Sequence, residues 1–327
     1  MNKDSKIFVA GASGMVGSAI IRELKKLSFT NILCPNSKDL DLLNQVEVEK
    51  FFSENKPEYV FNAAAKVGGI YTNEMHSADF IYENIQIQTN MIHFAFKSKV
   101  KKFLFMASSC IYPRDAIQPI KEEYLLSNYL EKTNEAYAIA KISGVKMLEH
   151  YKKVYGLSSI SLMPCNLYGY NDNYDLKTSH VFPALIKKFV DAKMNNHSSV
   201  EIWGSGKVYR EFMHVDDIAK AAIFFIDKSI DDNLINIGWG KEISIIELVE
   251  LIKEKTGFSG DITWDKSKKD GTIHKKLDIS KMKDNGFTPS ISLSKGIDLT
   301  IQSYINEKVD LKTNTLTNLK SFSFKQL

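Results

Sequence analysis

The sequence predicts an α/β chain, a doubly wound parallel sheet with a smaller α+β domain attached. Three observations carry this. Short, β-rich apolar runs alternate with longer amphipathic stretches through the first half of the chain. The first such run, Ile7-Phe8-Val9-Ala10, leads straight into Gly11-Ala12-Ser13-Gly14-Met15-Val16-Gly17 and then a helix through Ile20, Ile21 and Leu24. The rhythm then changes at about Tyr170. The expected division is a sheet domain over 1–169, to which 211–238 returns. A second domain comprises 170–210 and 239–310, and 311–327 form a tail rich in Lys, Asn, Thr and Ser.

The composition narrows the function. The chain has 327 residues, 44% of them hydrophobic, enough for one large core or two smaller ones. Lys and Arg exceed Asp and Glu by 43 to 39, and this net +4 is too small for a nucleic-acid partner, though compatible with an anionic ligand. Cys34, Cys110 and Cys165 are odd in number and far apart, which points to no disulfide framework, no metal and a reducing cytoplasm. No apolar run approaches the roughly 20 residues of a membrane span, and the N-terminus has no signal-peptide pattern.

Strand, glycine turn and helix in that order are what a dinucleotide fingerprint requires, here spaced G-x-x-G-x-x-G. The glycines allow a tight turn and close approach of backbone N–H groups to a pyrophosphate at a helix N-terminus. Asn31–Cys34 reads as the second strand, and the residues after it face an adenosine ribose. Ser37 and Lys38, with Asn36 and Ser13, favour the phosphate of NADP, while Asp39 keeps NAD(H) open. Asp41 and Leu42 fall where such a fold contacts adenine.

A helix around 46–52 leads to a third strand, Tyr59-Val60-Phe61. Ala63, Ala64 and Ala65 follow, either as small packing residues or as a surface for a flat cofactor, and 66–70 reads as a flexible loop. A helix over 77–97 is apolar on more than one face, so it packs on the sheet and on a further surface, a partner chain being one candidate.

The fourth strand, 102–107, ends in Ser108-Ser109-Cys110. Ligands of open α/β sheets sit beyond the carboxyl ends of strands, so the Ser108 hydroxyl is placed to bond a substrate oxygen. Cys110 is either a small buried side chain or a thiol poised as acid or base. Thr133-Asn134-Glu135 is expected to cap a helix carrying Tyr137 and Lys141. Residues four apart share a helix face. The lysine is expected to lower the phenol's pKa from about 10 and make Tyr137 a general acid. Past the strand at 160–163, a helix begins after His180, and basic residues over 266–276 are either solvated or grip a diphosphate with Arg210 and Lys188.

Over about 6–305 the chain resembles the extended short-chain dehydrogenase/reductases and, within them, the GDP-L-fucose synthase family. The segments that carry the resemblance are GASGMVG, NAAAKVGGI, SSCIYP, TNEAYAIAK, PCNLYGYNDN, SHVFPALI, WGSG with REFMHVDD, and KKDGT. The resemblance implies a Rossmann domain binding NADP(H), a GDP-4-keto-6-deoxy-mannose-type substrate epimerised at C3 and C5 and reduced at C4, and a homodimer. It implies Ser108, Tyr137 and Lys141 as a reductase triad and Cys110 with His180 as the epimerisation acid/base pair, both titrating near neutrality. Cofactor positions would be Gly11, Ser13, Gly14, Met15, Val16, Gly17, Ser37, Lys38, Asp41, Leu42, Ala63, Ala64, Ala65, Tyr137, Lys141, Pro164, Asn166, Leu167 and His180. The nucleotide sugar would meet Val67, Gly68, Ser108, Ser109, Cys110, Asn166, Lys188, Trp203, Arg210 and Lys275.

The chain departs from that family's pattern in places. Ser13 and 35–38 stand where bacterial relatives often carry arginines, Tyr170 stands for a proline, and Ile273-His274 stand for Pro-Arg. The last two touch the substrate side and leave open a related GDP-4-keto sugar, such as a heptose of surface-polysaccharide biosynthesis. A non-catalytic nucleotide-binding protein would show losses in the triad, and the triad is intact.

Overall fold

The computed structural model describes residues 1–267 and 270–311. The tail at 312–327 and two lysines of the basic run, Lys268 and Lys269, lie outside the described residues. The first half contains β1 (Ile7–Ala10), α1 (Met15–Lys26), β2 (Ile32–Leu33), α2 (Gln45–Asn55), β3 (Tyr59–Asn62), α3 (Ile70–Met75), α4 (Ser77–Lys97), β4 (Lys102–Met106), α5 (Glu135–Tyr155) and β5 (Ser159–Pro164). There follow β6 (Asn166–Tyr168), α6 (Val181–Met194), β7 (Ser199–Trp203), β8 (Tyr209–His214), α7 (Val215–Asp227), β9 (Leu234–Ile237), β10 (Glu242–Ser244), α8 (Ile245–Thr256), β11 (Asp261–Asp265), α9 (Ser280–Asp284) and α10 (Leu293–Leu311).

Six strands form an all-parallel sheet in the order β2-β1-β3-β4-β5-β9. β1, β4 and β5 are buried along their whole length, because helices cover both faces of the sheet. α1 packs with α7, and α2, α4 and α5 form the other group. The strand order reverses on either side of β1, so a crevice opens at the carboxyl ends of β1 and β3. There the Ala63 N–H donates to the Ala10 carbonyl at 3.1 Å.

A second apolar cluster gathers Tyr168, Phe182, Phe189, Phe212, Leu248 and Ile297. It joins α6, α8 and α10 to a three-stranded sheet, β10-β8-β6, and a two-stranded one, β11-β7. Residues 211–214 therefore lie in the small sheet, and only α7 and β9 of the segment 211–238 pack on the large one. A short helix, α3, begins directly after Gly69, at the last residue of the 66–70 stretch expected to be loop.

Candidate active site

The glycine turn is shaped by close approach. Gly11 has φ +80, and a Cβ there would meet Ala63 C and Ala64 N at 2.8 Å. A Cβ on Gly17 would stand 2.1 Å from the Gly11 carbonyl oxygen. Gly14 is the N-cap of α1 and offers no side-chain cap, so the first-turn N–H groups of Met15, Val16 and Gly17 have no capping acceptor from it. Such donors at a positive dipole end suit a pyrophosphate. This fits a dinucleotide held by Gly11, Ser13 and Gly14–Gly17 against Ala63 and Ala64. Ser13, Ser37 and Lys38 are exposed. The Lys38 N–H is fixed by Asn36 Oδ1 at 2.8 Å. Asn90 Nδ2 donates to the Leu42 carbonyl at 2.9 Å, and Asp41 Oδ1 accepts from Leu43 N at 2.9 Å.

Ser108, Cys110, Tyr137 and Lys141 meet at the carboxyl end of β4. Ser108 caps a short 3-10 turn, Ser109–Ile111, its Oγ accepting from Cys110 N at 3.3 Å. Ser109 is buried in that turn. Lys141 is 2% exposed. Its ammonium donates to the Met106 carbonyl at 2.7 Å and lies 5.8 Å from the centre of the Tyr137 ring. Phe80 of α4 meets that ring edge-on at 6.4 Å. Asn134 is the N-cap of α5 but its side chain makes no capping bond, contrary to the capping expected from the sequence.

Electrostatics correct a second expectation. Burial pushes the Tyr137 phenol well above its ordinary range, with Cys110 adding to the effect. Burial also lowers Lys141 to about 8. Helix spacing gives the neighbour but not the desolvation, which dominates here. The phenol therefore keeps its proton at neutral pH, the state a general acid needs. The acid/base pair is also shifted, its two members in opposite directions. Burial raises the Cys110 thiol, opposed by Lys275, the Ser108 hydroxyl and Lys141. The protein around His180 lowers its imidazole, although the ring borders solvent. At neutral pH one group holds a proton and the other offers a lone pair.

His180 is the N-cap residue of α6. The preceding backbone lies against the glycine pair of the 66–69 loop. Gly69 N–H donates to the Thr178 carbonyl at 2.9 Å, and a Cβ on Gly69 would stand 2.8 Å from the Ser179 carbonyl oxygen. Asn84 fixes the other end of the loop through Lys66 N and Lys66 O, at 2.9 and 3.0 Å. The sequence reading names Val67 and Gly68 but misses Gly69, whose signal was a doubled glycine before a helix.

On the substrate side, Lys188 and Trp203 are brought together: the ammonium sits 5.0 Å from the ring and donates to Glu201 O at 2.7 Å. Arg210 donates to Thr272 O at 2.7 Å, and its charge and that of Lys275 are close enough to repel. Lys275 in turn feels Cys110, so this side and the thiol belong to one electrostatic neighbourhood. Asn166 Nδ2 donates to Glu211 O at 2.9 Å, tying β6 to β8, with Pro164 and Leu167 beside it. Sequence reasoning also misses Glu211, fully buried, whose carboxylate accepts from Gly240 N at 2.6 Å and Leu277 N at 2.9 Å and so fixes the segment that follows Lys275. Among the described residues no cluster of His, Cys, Asp and Glu suits a metal ion, and no helix is long and apolar enough to cross a membrane.

The sheet order, the glycine cradle and the Ser–Tyr–Lys cluster define a dinucleotide-dependent enzyme of the short-chain dehydrogenase/reductase class. Residues 7–238 match the model of the NAD dependent epimerase/dehydratase family, and the chain belongs to that family. It is 51% identical over 304 residues to GDP-L-fucose synthase 1 of Arabidopsis thaliana, covering 93% of this chain and 94% of that one. Among solved structures, a GDP-6-OMe-4-keto-L-xylo-heptose reductase from C. jejuni superposes with a TM-score of 0.89 at 38% identity, over 94% of this chain and 99% of that one. A GDP-L-fucose synthetase from Naegleria fowleri, bound to NADP, superposes with a TM-score of 0.87 at 27% identity, over 94% and 95% of the two chains.

Proposed function

We propose that the chain is a GDP-L-fucose synthase, which epimerises C3 and C5 of GDP-4-keto-6-deoxy-D-mannose and reduces C4 with NADPH. The observation that carries this is the meeting of Ser108, Cys110, Tyr137 and Lys141 at one strand end, in a chain 51% identical to a relative of that name.

The 4-keto group acidifies the protons on C3 and C5, so removal leaves an enolate that the ketone stabilises. Inversion needs a base on one side and an acid on the other. His180 and Cys110, pushed in opposite directions, supply that pairing. Ser108 orients the ketone oxygen by hydrogen bonding. NADPH, when bound, supplies the hydride for C4. Tyr137 gives its proton to the developing alkoxide, and the buried Lys141 would hold the nicotinamide ribose and face the phenolate left behind. NADP(H) binding is supported by the cradle around Gly11–Gly17 and by the NADP-bound relative. Ser37 and Lys38 would meet its ribose phosphate.

The second apolar cluster, with Lys188, Trp203, Arg210 and Lys275, forms the nucleotide-sugar part, in which the cations meet the diphosphate. We place the enzyme in the cytoplasm, as its three unpaired cysteines suit a reducing compartment. A homodimer forms through the outer faces of α4 and α5, which carry exposed Tyr82, Ile139 and Tyr155, the last stacked on Phe96 at 4.6 Å.

Purified protein given GDP-4-keto-6-deoxy-D-mannose and NADPH should yield GDP-L-fucose with one NADPH oxidised per sugar. A product that keeps the D-manno configuration at C3 and C5, or no NADPH oxidation, would overturn the reading. The heptose alternative rests on a 38% likeness against 51%. It would displace the first reading if a GDP-4-keto-heptose were turned over and the deoxy sugar were not.

A further inference from the structure

His180 hangs at the end of a strap, 169–180, that is tied at both ends. At its start Gly169, with φ +140, lies against His214, where a Cβ would stand 3.0 Å from Nε2. The Tyr170 ring meets the His214 ring edge-on at 5.6 Å and lies 5.2 Å from the Arg22 guanidinium. Arg22 pairs with Asp216 at 2.8 Å. Asn171, in the left-handed region at φ +60, donates from Nδ2 to Ser18 Oγ at 2.9 Å. Ser18 and Arg22 both stand on α1, and Ser18 directly follows Gly17 of the dinucleotide cradle.

The middle of the strap is stiffened from within. Asp175 Oδ1 accepts from Lys177 N and Thr178 N at 2.9 and 3.1 Å. Asn173 Nδ2 donates to Thr178 Oγ1 at 2.8 Å, and the Tyr174 ring packs on Tyr304 of α10 at 4.5 Å. At its far end the Thr178 carbonyl accepts from Gly69 N. These bonds hold the segment in one ordered path between Asn171 and His180.

We propose that Asn171, through its bond to Ser18, is a positioning residue for His180, so that the helix cradling the dinucleotide also sets the place of the acid/base imidazole. This rests on the role given to His180 above.

Ser18→Ala removes the acceptor and leaves the strap's own sequence intact, whereas Ser18→Thr keeps a hydroxyl. Asn171→Gly is the companion variant, since glycine tolerates the left-handed backbone. Two quantities are read. One is deuterium incorporation from D2O at C3 and C5, relative to hydride transfer. The other is the His180 imidazole pKa by NMR in ligand-free protein. In Ser18→Ala and Asn171→Gly, incorporation should fall by about threefold to tenfold, the loss of one hydrogen bond's worth of positioning, with NADPH affinity unchanged in Asn171→Gly, which leaves the Ser18 bond to the Met15 carbonyl in place. The imidazole pKa, held low by surrounding protein, should rise towards 6.5. Ser18→Thr should restore both. An unchanged His180 pKa in both variants overturns the proposal. Undiminished incorporation in His180→Gln would instead sink the acid/base reading of His180, and the pKa comparison would still decide the positioning claim.

Discussion

The Lys141 ammonium lies 5.8 Å from the centre of the Tyr137 ring and gives its hydrogen bond to the Met106 carbonyl. The two side chains share a helix face, yet the lysine does not turn the phenol into a phenolate. Burial raises one and lowers the other, so the pair rests as a protonated phenol beside an amine of reduced basicity. Tyr137→Phe removes the proton donor and changes little else. Reduction should fall by about 10²–10⁴-fold while NADPH binding persists, as single-turnover NADPH oxidation would measure. A variant within a few-fold of wild type would contradict the role.

Lys141 also makes stability depend on pH. Its folded pKa of about 8 lies below the unfolded 10.5. Between those values the unfolded chain binds a proton that the folded protein has released. Stability from this group therefore rises with pH through the window and is lowest below about 8. Urea midpoints of ligand-free protein across that range should climb more steeply in wild type than in Lys141→Met. Parallel curves would refute the shift.

Gly17→Ala tests the cradle. Its Cβ would be 2.1 Å from the Gly11 carbonyl oxygen, so the turn must open. Strain of about 1–3 kcal/mol falls on the loop that should hold the pyrophosphate. NADPH affinity should weaken by about tenfold or more, measured by quenching of protein fluorescence. Wild-type affinity would show that the dinucleotide lies elsewhere.

Gly69→Ala tests how the 66–69 loop seats the backbone before His180. The added methyl would meet the Ser179 carbonyl oxygen, which is backbone and cannot swing aside. Epimerisation should fall more than NADPH affinity, because the disturbance reaches His180 and leaves the α1 turn untouched. Equal losses of both would point to general destabilisation.

Much of this site was legible in the sequence, for physical reasons. The strand–glycine–helix order at 7–26 admits few other structures, and Ser108 and Tyr137–Lys141 stand at strand and helix ends set by local pattern. What stayed hidden depends on tertiary contact. α3 has only six residues after two glycines, too short for periodicity to declare it. β8 carries a strand pattern whether it joins the large sheet or the small one, and only its pairing with β10 and β6 decides. Asn134 has the right chemistry and place for a cap, yet its side chain makes no capping bond. The pKa directions of Tyr137 and Cys110 follow from burial, and that of His180 from the protein packed around it, which spacing does not encode.

The central claim is that one site both inverts carbons and reduces the ketone, and isotope tracing tests it directly. The protein is incubated with GDP-4-keto-6-deoxy-D-mannose and NADPH in D2O, and the product is read by NMR. The account requires GDP-L-fucose carrying deuterium at C3 and C5, with neither carbon inverted in Cys110→Ser, which still binds NADPH. A C4-reduced product with protium at both carbons in the wild-type protein would contradict it.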